Sequence, residues 1–191
     1  MHVAIVCPGP SLLRTWRPIG RPRYDRIIAV NYAINYVDDI DWLVGCDLPL
    51  FCGCGATNAI RARLPRVGLV TASNVWEAIT TGKGSEYWND NQPWDGSAWA
   101  RLQLVTWESL SLVNETAPCN YSVVAALGFA LACPGVQVVD VYGADMVARP
   151  GVDGIPGGRS DERWAAERRD LRAVAARAPR VHVRRILPFP E

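Results

Sequence analysis

The chain has almost no lysine. Lys83 stands alone, and the other nineteen of its twenty cationic residues are arginine. That bias follows GC-rich coding and leads us to expect a bacterial or phage source. Net charge is missing too: 20 Lys+Arg against 19 Asp+Glu leave +1. No global field draws the chain toward nucleic acid or acidic lipid, so such binding would need a local patch such as Arg168-Arg169 or Arg184-Arg185. No apolar run approaches the roughly 18 residues of a membrane helix. Met1-His2 leads into an apolar stretch without the basic opening of a secretory signal, so a cytoplasmic location is expected. Histidine is nearly absent, with His2 and His182 the only two, which gives Ser-His-Asp or Cys-His chemistry little to work with. The six cysteines (7, 46, 52, 54, 119 and 133) show no small-scaffold spacing, and reduced thiols are the expectation. Cys52-Gly-Cys54 is the one pair with ligand-like spacing. It lacks a second pair and a nearby His, so a closed zinc site is not expected.

What the chain does have is 191 residues, 49% of them hydrophobic, enough for one well-buried domain spanning 1–191. Apolar, β-branched runs predict strands at 3–7, 25–30, 41–46, 66–71, 136–142 and 181–186, with a short one at 102–106. Helices are predicted at 55–64, 74–80, 120–133 and 161–177, with Ser11 capping a short helical turn. Strands alternating with helices mean an α/β fold: a Rossmann-like parallel sheet with helices on both faces. Residues 82–118 break the alternation and read as a Trp-rich insertion. Its tryptophans at 88, 94, 99 and 107 suit a sugar-stacking lid, a base-stacking surface or a satellite core.

Ligands of open α/β sheets bind outside the carboxyl ends of the strands. Here those ends read Pro8-Gly9-Pro10-Ser11, Asn31-Tyr32, Asp47 and Tyr142-Gly-Ala-Asp145. Gly9 either lets the backbone approach a phosphate or nucleoside, or serves a tight turn. Asn31 either reads a base or ribose edge, or caps the next helix. Asp47 and Asp145 follow buried strands, where a carboxylate needs a ligand, a cation or a backbone partner. Lys83 lies between two glycines without the Gly-x-x-x-x-Gly-Lys-Ser/Thr of a P-loop, leaving a loop lysine able to touch phosphate. With so little histidine, a general base would be a carboxylate, among them Asp145, Asp161, Glu162 and Glu167. Trp164 and Glu167 share a helical face that either lines the site or docks the helix on the sheet.

The opening strand with its Gly-Pro-Ser-Leu turn, then Ile27-Ile-Ala-Val-Asn31, then Ser122 opening a helix, then Val141-Tyr-Gly-Ala-Asp145 resemble a known group. It comprises the bacterial family 42 sialyltransferases, the Maf flagellin-modifying glycosyltransferases and the archaeal 6-hydroxymethylpterin diphosphokinases. The resemblance spans roughly residues 1–50 and 119–146. It implies a nucleotide-activated donor held by the first turn (Gly9, Pro10, Ser11), by Asn31 and by the region of Ser122. Pro8 stands where the sialyltransferases carry a donor-binding Asn, and their catalytic His has no counterpart within 146–170. The resemblance therefore implies nucleotide-dependent transfer in general rather than sialyl transfer.

The expected function is a metal-independent glycosyltransferase using a nucleotide-sugar as substrate and no cofactor. Asp145 would be the base, with Glu167 as second carboxylate. Lys83 and Trp88 would belong to a lid over the sugar. The acceptor is a glycan, a protein or a modified nucleobase, and a homo-oligomer stays open. The first alternative is a diphosphokinase acting on a small pterin-like heterocycle, with Asp47 and Asp145 holding Mg²⁺ on ATP phosphates. The other is a non-catalytic nucleotide-binding domain.

Overall fold

The computed structural model describes residues 1–16, 23–47, 50, 67–81, 103–114, 121–146 and 160–186. Seven strands form one sheet: β1 (His2–Val6), β2 (Arg26–Val30), β3 (Trp42–Val44), β4 (Gly68–Thr71), β5 (Leu104–Thr106), β6 (Val138–Tyr142) and β7 (His182–Ile186). Every pairing is parallel, in the order β5-β4-β3-β2-β1-β6-β7. The helices are α1 (Leu12–Thr15), α2 (Ser73–Thr81), α3 (Ser111–Asn114), α4 (Ser122–Ala132) and α5 (Asp161–Ala176). The fold is α/β and Rossmann-like. Each predicted strand is present, its ends within two residues of expectation. The helix expected at 55–64 lies outside the described residues. Among the described residues no helix is long and apolar enough to cross a membrane.

The inner strands β1 to β4 are mostly apolar because both faces of a parallel sheet are covered, whereas the edge strand β7, His-Val-Arg-Arg-Ile, is largely exposed. Along β1 and β2, alternate side chains feed two cores. Val3, Ile5, Ile28 and Val30 pack beneath α4 and α5. Ala4, Val6, Ile27 and Ala29 pack beneath α1 and the 3-10 turn Asn31–Asn35. Every residue of α4 from Ser122 to Ala130 is buried. Burial of its Val, Leu and Phe side chains stabilises by roughly 1.5–3 kcal/mol each.

The rear of the expected insertion belongs to the sheet and its core. Residues 104–106 form the edge strand β5, and Trp107 is buried in the same core as α4. This is the packing reading of that tryptophan. Trp88, Trp94 and Trp99 lie outside the described residues.

Among the described residues, one charged group is buried within the strands. Asp140, in the middle of β6, is wholly buried. Arg184 of β7 donates Nε to its Oδ1 at 2.6 Å and Nη2 to its Oδ2 at 2.9 Å. Tyr24 donates its hydroxyl to the same Oδ2 at 3.0 Å, and His2 Nε2 lies 2.9 Å away. The Tyr24 hydroxyl also bonds that of Tyr142. His2, expected before the first strand, is thus its first residue and holds a buried carboxylate. His182 is exposed on the edge strand.

The chain runs outward from β1 to β5, then returns to lay β6 against β1. That reversal puts the topological switch point, where such sheets open a crevice, between β1 and β6.

Candidate functional site

The residues after β1 and β6 meet at this switch point. Cys7 donates its N–H to Tyr142 O at 2.9 Å, and Gly9 donates to Gly143 O at 2.9 Å. Ser11 donates its N–H to Asp145 Oδ2 at 2.7 Å, and Leu12 donates back to Gly9 O at 3.0 Å. Pro8 and Pro10 have no N–H to give. Every amide from Cys7 to Leu12 is therefore engaged inside the protein, and the Asp145 carboxylate occupies the place an anionic ligand would take on this turn. A Cβ on Gly9 would sit 2.0 Å from Gly143 O and 2.5 Å from Asp145 Oδ2. The glycine is required by the close approach of these two turns.

Asp145 is fixed from several sides. Arg185 Nη2 donates to its backbone carbonyl at 2.8 Å, and Arg168 Nη1 donates to Met146 O at 3.0 Å. Gly143 and Met146 have positive φ, 62° and 52°, so the backbone turns sharply on both sides of the carboxylate. The sequence shows these arginines only as charge runs; their use as carbonyl donors depends on which strand neighbours which.

Three polar side-chain atoms at the ends of strands are buried and make no hydrogen bond: Ser11 Oγ after β1, Asn31 Oδ1 after β2 and Thr71 Oγ1 at the last residue of β4. Ser11 is 3% exposed and Thr71 0%. Buried polar atoms are nearly always paired, and each unpaired one costs about 1–3 kcal/mol. Three lie along the carboxyl edge of one sheet, the edge where ligands of open α/β sheets bind, and make it the candidate site. Asn31 adds a left-handed backbone, φ 50°, and is the first residue of the turn that follows, whose N-cap position is Val30. Thr71 escaped the sequence reading. The available signal was a hydroxyl terminating a buried strand, the logic already applied to Asn31.

With strands about 4.8 Å apart, the ends of β4, β3, β2, β1 and β6 cover about 19 Å. That span suits an extended ligand of several linked groups. Asp47, after β3, is exposed, so the burial argument for a partner does not apply to it. Ser122 opens α4 and is buried; because α4 leads into β6, its first residue lies toward the same edge. Pro10 is half-buried in the first turn. Lys83 and Trp88 lie outside the described residues.

Glu167 comes close from α5. Ser160 caps that helix, its Oγ accepting the Arg163 N–H at 3.3 Å. Glu167 and Val174, seven residues apart, are buried on its inner face. Half-buried Trp164 packs on the same core, so this face docks the helix and carries Glu167 inward with it. Burial, and then the negative charges of Glu167 and Asp145, push the Cys7 thiol far above its usual range. Cys7 is therefore an inert core thiol with both expected catalytic carboxylates in electrostatic reach. Among the described residues, no three His, Cys, Asp or Glu side chains gather as a metal site.

No protein-family model matches the chain, and no curated protein matches it in sequence.

Proposed function

We propose that this protein is a glycosyltransferase that binds a nucleotide-activated sugar along the carboxyl edge of the sheet, with Asp145 as the base. One observation carries the reading: Ser11 Oγ, Asn31 Oδ1 and Thr71 Oγ1 are buried without partners along the edge that ends at Asp145. Asn31 Oδ1 and Asp145 accept hydrogen bonds only, and the two hydroxyls accept as readily as they donate. Such a set suits a ligand rich in hydroxyl and amino donors, as sugars and nucleosides are.

In the proposed reaction the acceptor hydroxyl attacks the anomeric carbon. A new C–O bond forms, the bond to the nucleotide phosphate breaks, and the hydroxyl proton passes to Asp145. Glu167 sits on the inner face of α5, behind the turn that carries Asp145. We assign it a positioning role, as a fixed charge behind the turn.

The test is a thermal-shift panel of CMP, UDP, GDP, ATP and NAD, in EDTA and in magnesium, on wild type, Asn31→Ala and Thr71→Val. A ligand at a hundredfold excess over Kd stabilises by about 2.7 kcal/mol. The expected result is a shift with a pyrimidine or guanine nucleotide, kept in EDTA and reduced in both variants. A shift confined to ATP with magnesium would move the assignment to diphosphoryl transfer. Tight binding with no turnover of any nucleotide-sugar would leave a non-catalytic nucleotide-binding domain.

A further inference from the structure

The opposite end of the sheet holds an open cleft of about 460 Å³, within the usual 300–1,000 Å³ of small-molecule sites. Its walls come from the amino ends of β2, β3 and β5 and the carboxyl end of α4. Trp42, Leu104, Leu110 and Phe129 are among its apolar lining residues, and Arg26 supplies a cation. The aromatic wall is closely packed. Trp42 and Phe129 have ring centroids 4.5 Å apart, and the Trp42 indole lies so close over Gly68 that a Cβ there would fall 2.3 Å from it.

Arg26 is the unusual member. It is half-buried as the first residue of β2. Among the described residues, the one side-chain partner found for its guanidinium is the Cys133 thiol, with Nη1 3.4 Å from Sγ. A thiol is a weak acceptor. Burial pushes that thiol up while the Arg26 charge opposes the rise, so the sulfur offers the guanidinium little negative charge in return. Guanidinium groups set against apolar surface normally pair with a carboxylate or phosphate, often in bidentate fashion.

We propose that this cleft is a second ligand site, for a small amphipathic anion with an aromatic or branched apolar body and one carboxylate-like head. The body lies against Trp42 and Phe129, and the head bonds Arg26. The site is separate from the carboxyl-edge site and does not depend on the transferase reading. Arg26 and Asn31 flank opposite ends of β2, about 16 Å apart at the rise of a strand.

The test is fluorescence titration of the full chain with two probes that share an apolar body. One is the anion 8-anilinonaphthalene-1-sulfonate, and the other is neutral N-phenyl-1-naphthylamine. Wild type should bind one molecule of either probe per chain, saturably. Arg26→Gln should weaken the anion by about tenfold, the scale of one lost charge-assisted bond, and leave the neutral probe within about twofold. Ala132→Trp, at the exposed rim, should fill the cleft and abolish both signals while thermal melts show an intact fold. Equal anion affinity in wild type and Arg26→Gln would overturn the proposal, as would the absence of saturable binding. So would probe affinity that falls with rising protein concentration, because a second copy of the chain would then be covering the cleft.

Discussion

Ser11 and Asp145 lie 134 positions apart in the chain, and the Ser11 N–H donates to Asp145 Oδ2 at 2.7 Å. The bond ties the turn after β1 to the turn after β6 and fixes a carboxylate at the switch point. Hydrogen bonds to charged groups contribute about 1.5–3 kcal/mol. Asp145→Ala should therefore destabilise by about 2 kcal/mol through the orphaned amide. Asp145→Asn keeps an acceptor oxygen and should stay within about 1 kcal/mol of wild type. If Asp145 is the base, Asp145→Asn should still lower turnover by about 10²–10⁴. Melting curves beside transferase assays separate the two roles, and full activity in Asp145→Asn would remove Asp145 from the chemistry.

Thr71 predicts the opposite balance. Its hydroxyl is buried without a partner, and valine has nearly the same shape without the polar atom. Thr71→Val should raise the stability of the ligand-free protein by about 1 kcal/mol, because an unsatisfied buried group is removed. If the proposed ligand pairs with this hydroxyl, the same change should weaken binding. A variant that is both more stable and poorer at binding is the usual signature of a functional site. A loss of stability would mean that the hydroxyl has a partner in the unliganded protein.

Gly9 predicts a packing effect. Its missing Cβ faces Gly143 O at 2.0 Å, a backbone atom that cannot swing aside. Gly9→Ala should cost about 3 kcal/mol, at the upper end of overpacking effects, and should do so with or without nucleotide. Chemical denaturation of the two proteins checks this. A stable Gly9→Ala that fails only in ligand binding would instead make the glycine a ligand-approach residue.

The strand ends were readable because both require only local chemistry: apolar runs stop at Gly, Pro, Asn or Asp, and parallel sheets bind ligands where they stop. The sequence could also show that Gly9, Asn31 and Asp145 terminate strands. It could not show that Asp145 would bond the Ser11 amide, because that depends on β6 returning to β1 rather than to β5. The network at Asp140 was hidden for the same reason. His2, Tyr24, Asp140 and Arg184 come from four separate segments, and none carries a local signal. The opening turn illustrates the limit most clearly: its glycine suits a close approach to phosphate, but the end of β6 and the turn after it engage the Cys7, Gly9 and Ser11 amides and Gly9 O engages that of Leu12.

That network sets the last prediction. Burial alone would raise the Asp140 carboxyl, but hydrogen bonds from Arg184, Tyr24 and His2, with the Arg184 charge, outweigh it and hold the group below its ordinary value of 3.8. A carboxyl with a depressed native pKa contributes stability that is fully present above its unfolded value and is lost as pH falls through the native one. The contribution should therefore be constant near neutrality and disappear below about pH 4, the ordinary range for aspartate. Asp140→Asn isolates it. Removing one partner of a buried pair typically costs 3–5 kcal/mol. Arg184, however, has a side chain 49% exposed, so water takes over part of its solvation and a loss of about 2 kcal/mol at pH 7 is expected. The gap between wild type and variant should then close as the pH is lowered from 5 toward 2. Denaturant titrations across that range measure it directly. A gap unchanged at low pH would mean that the bonds to Asp140 stabilise through packing and geometry, with no contribution from its charge.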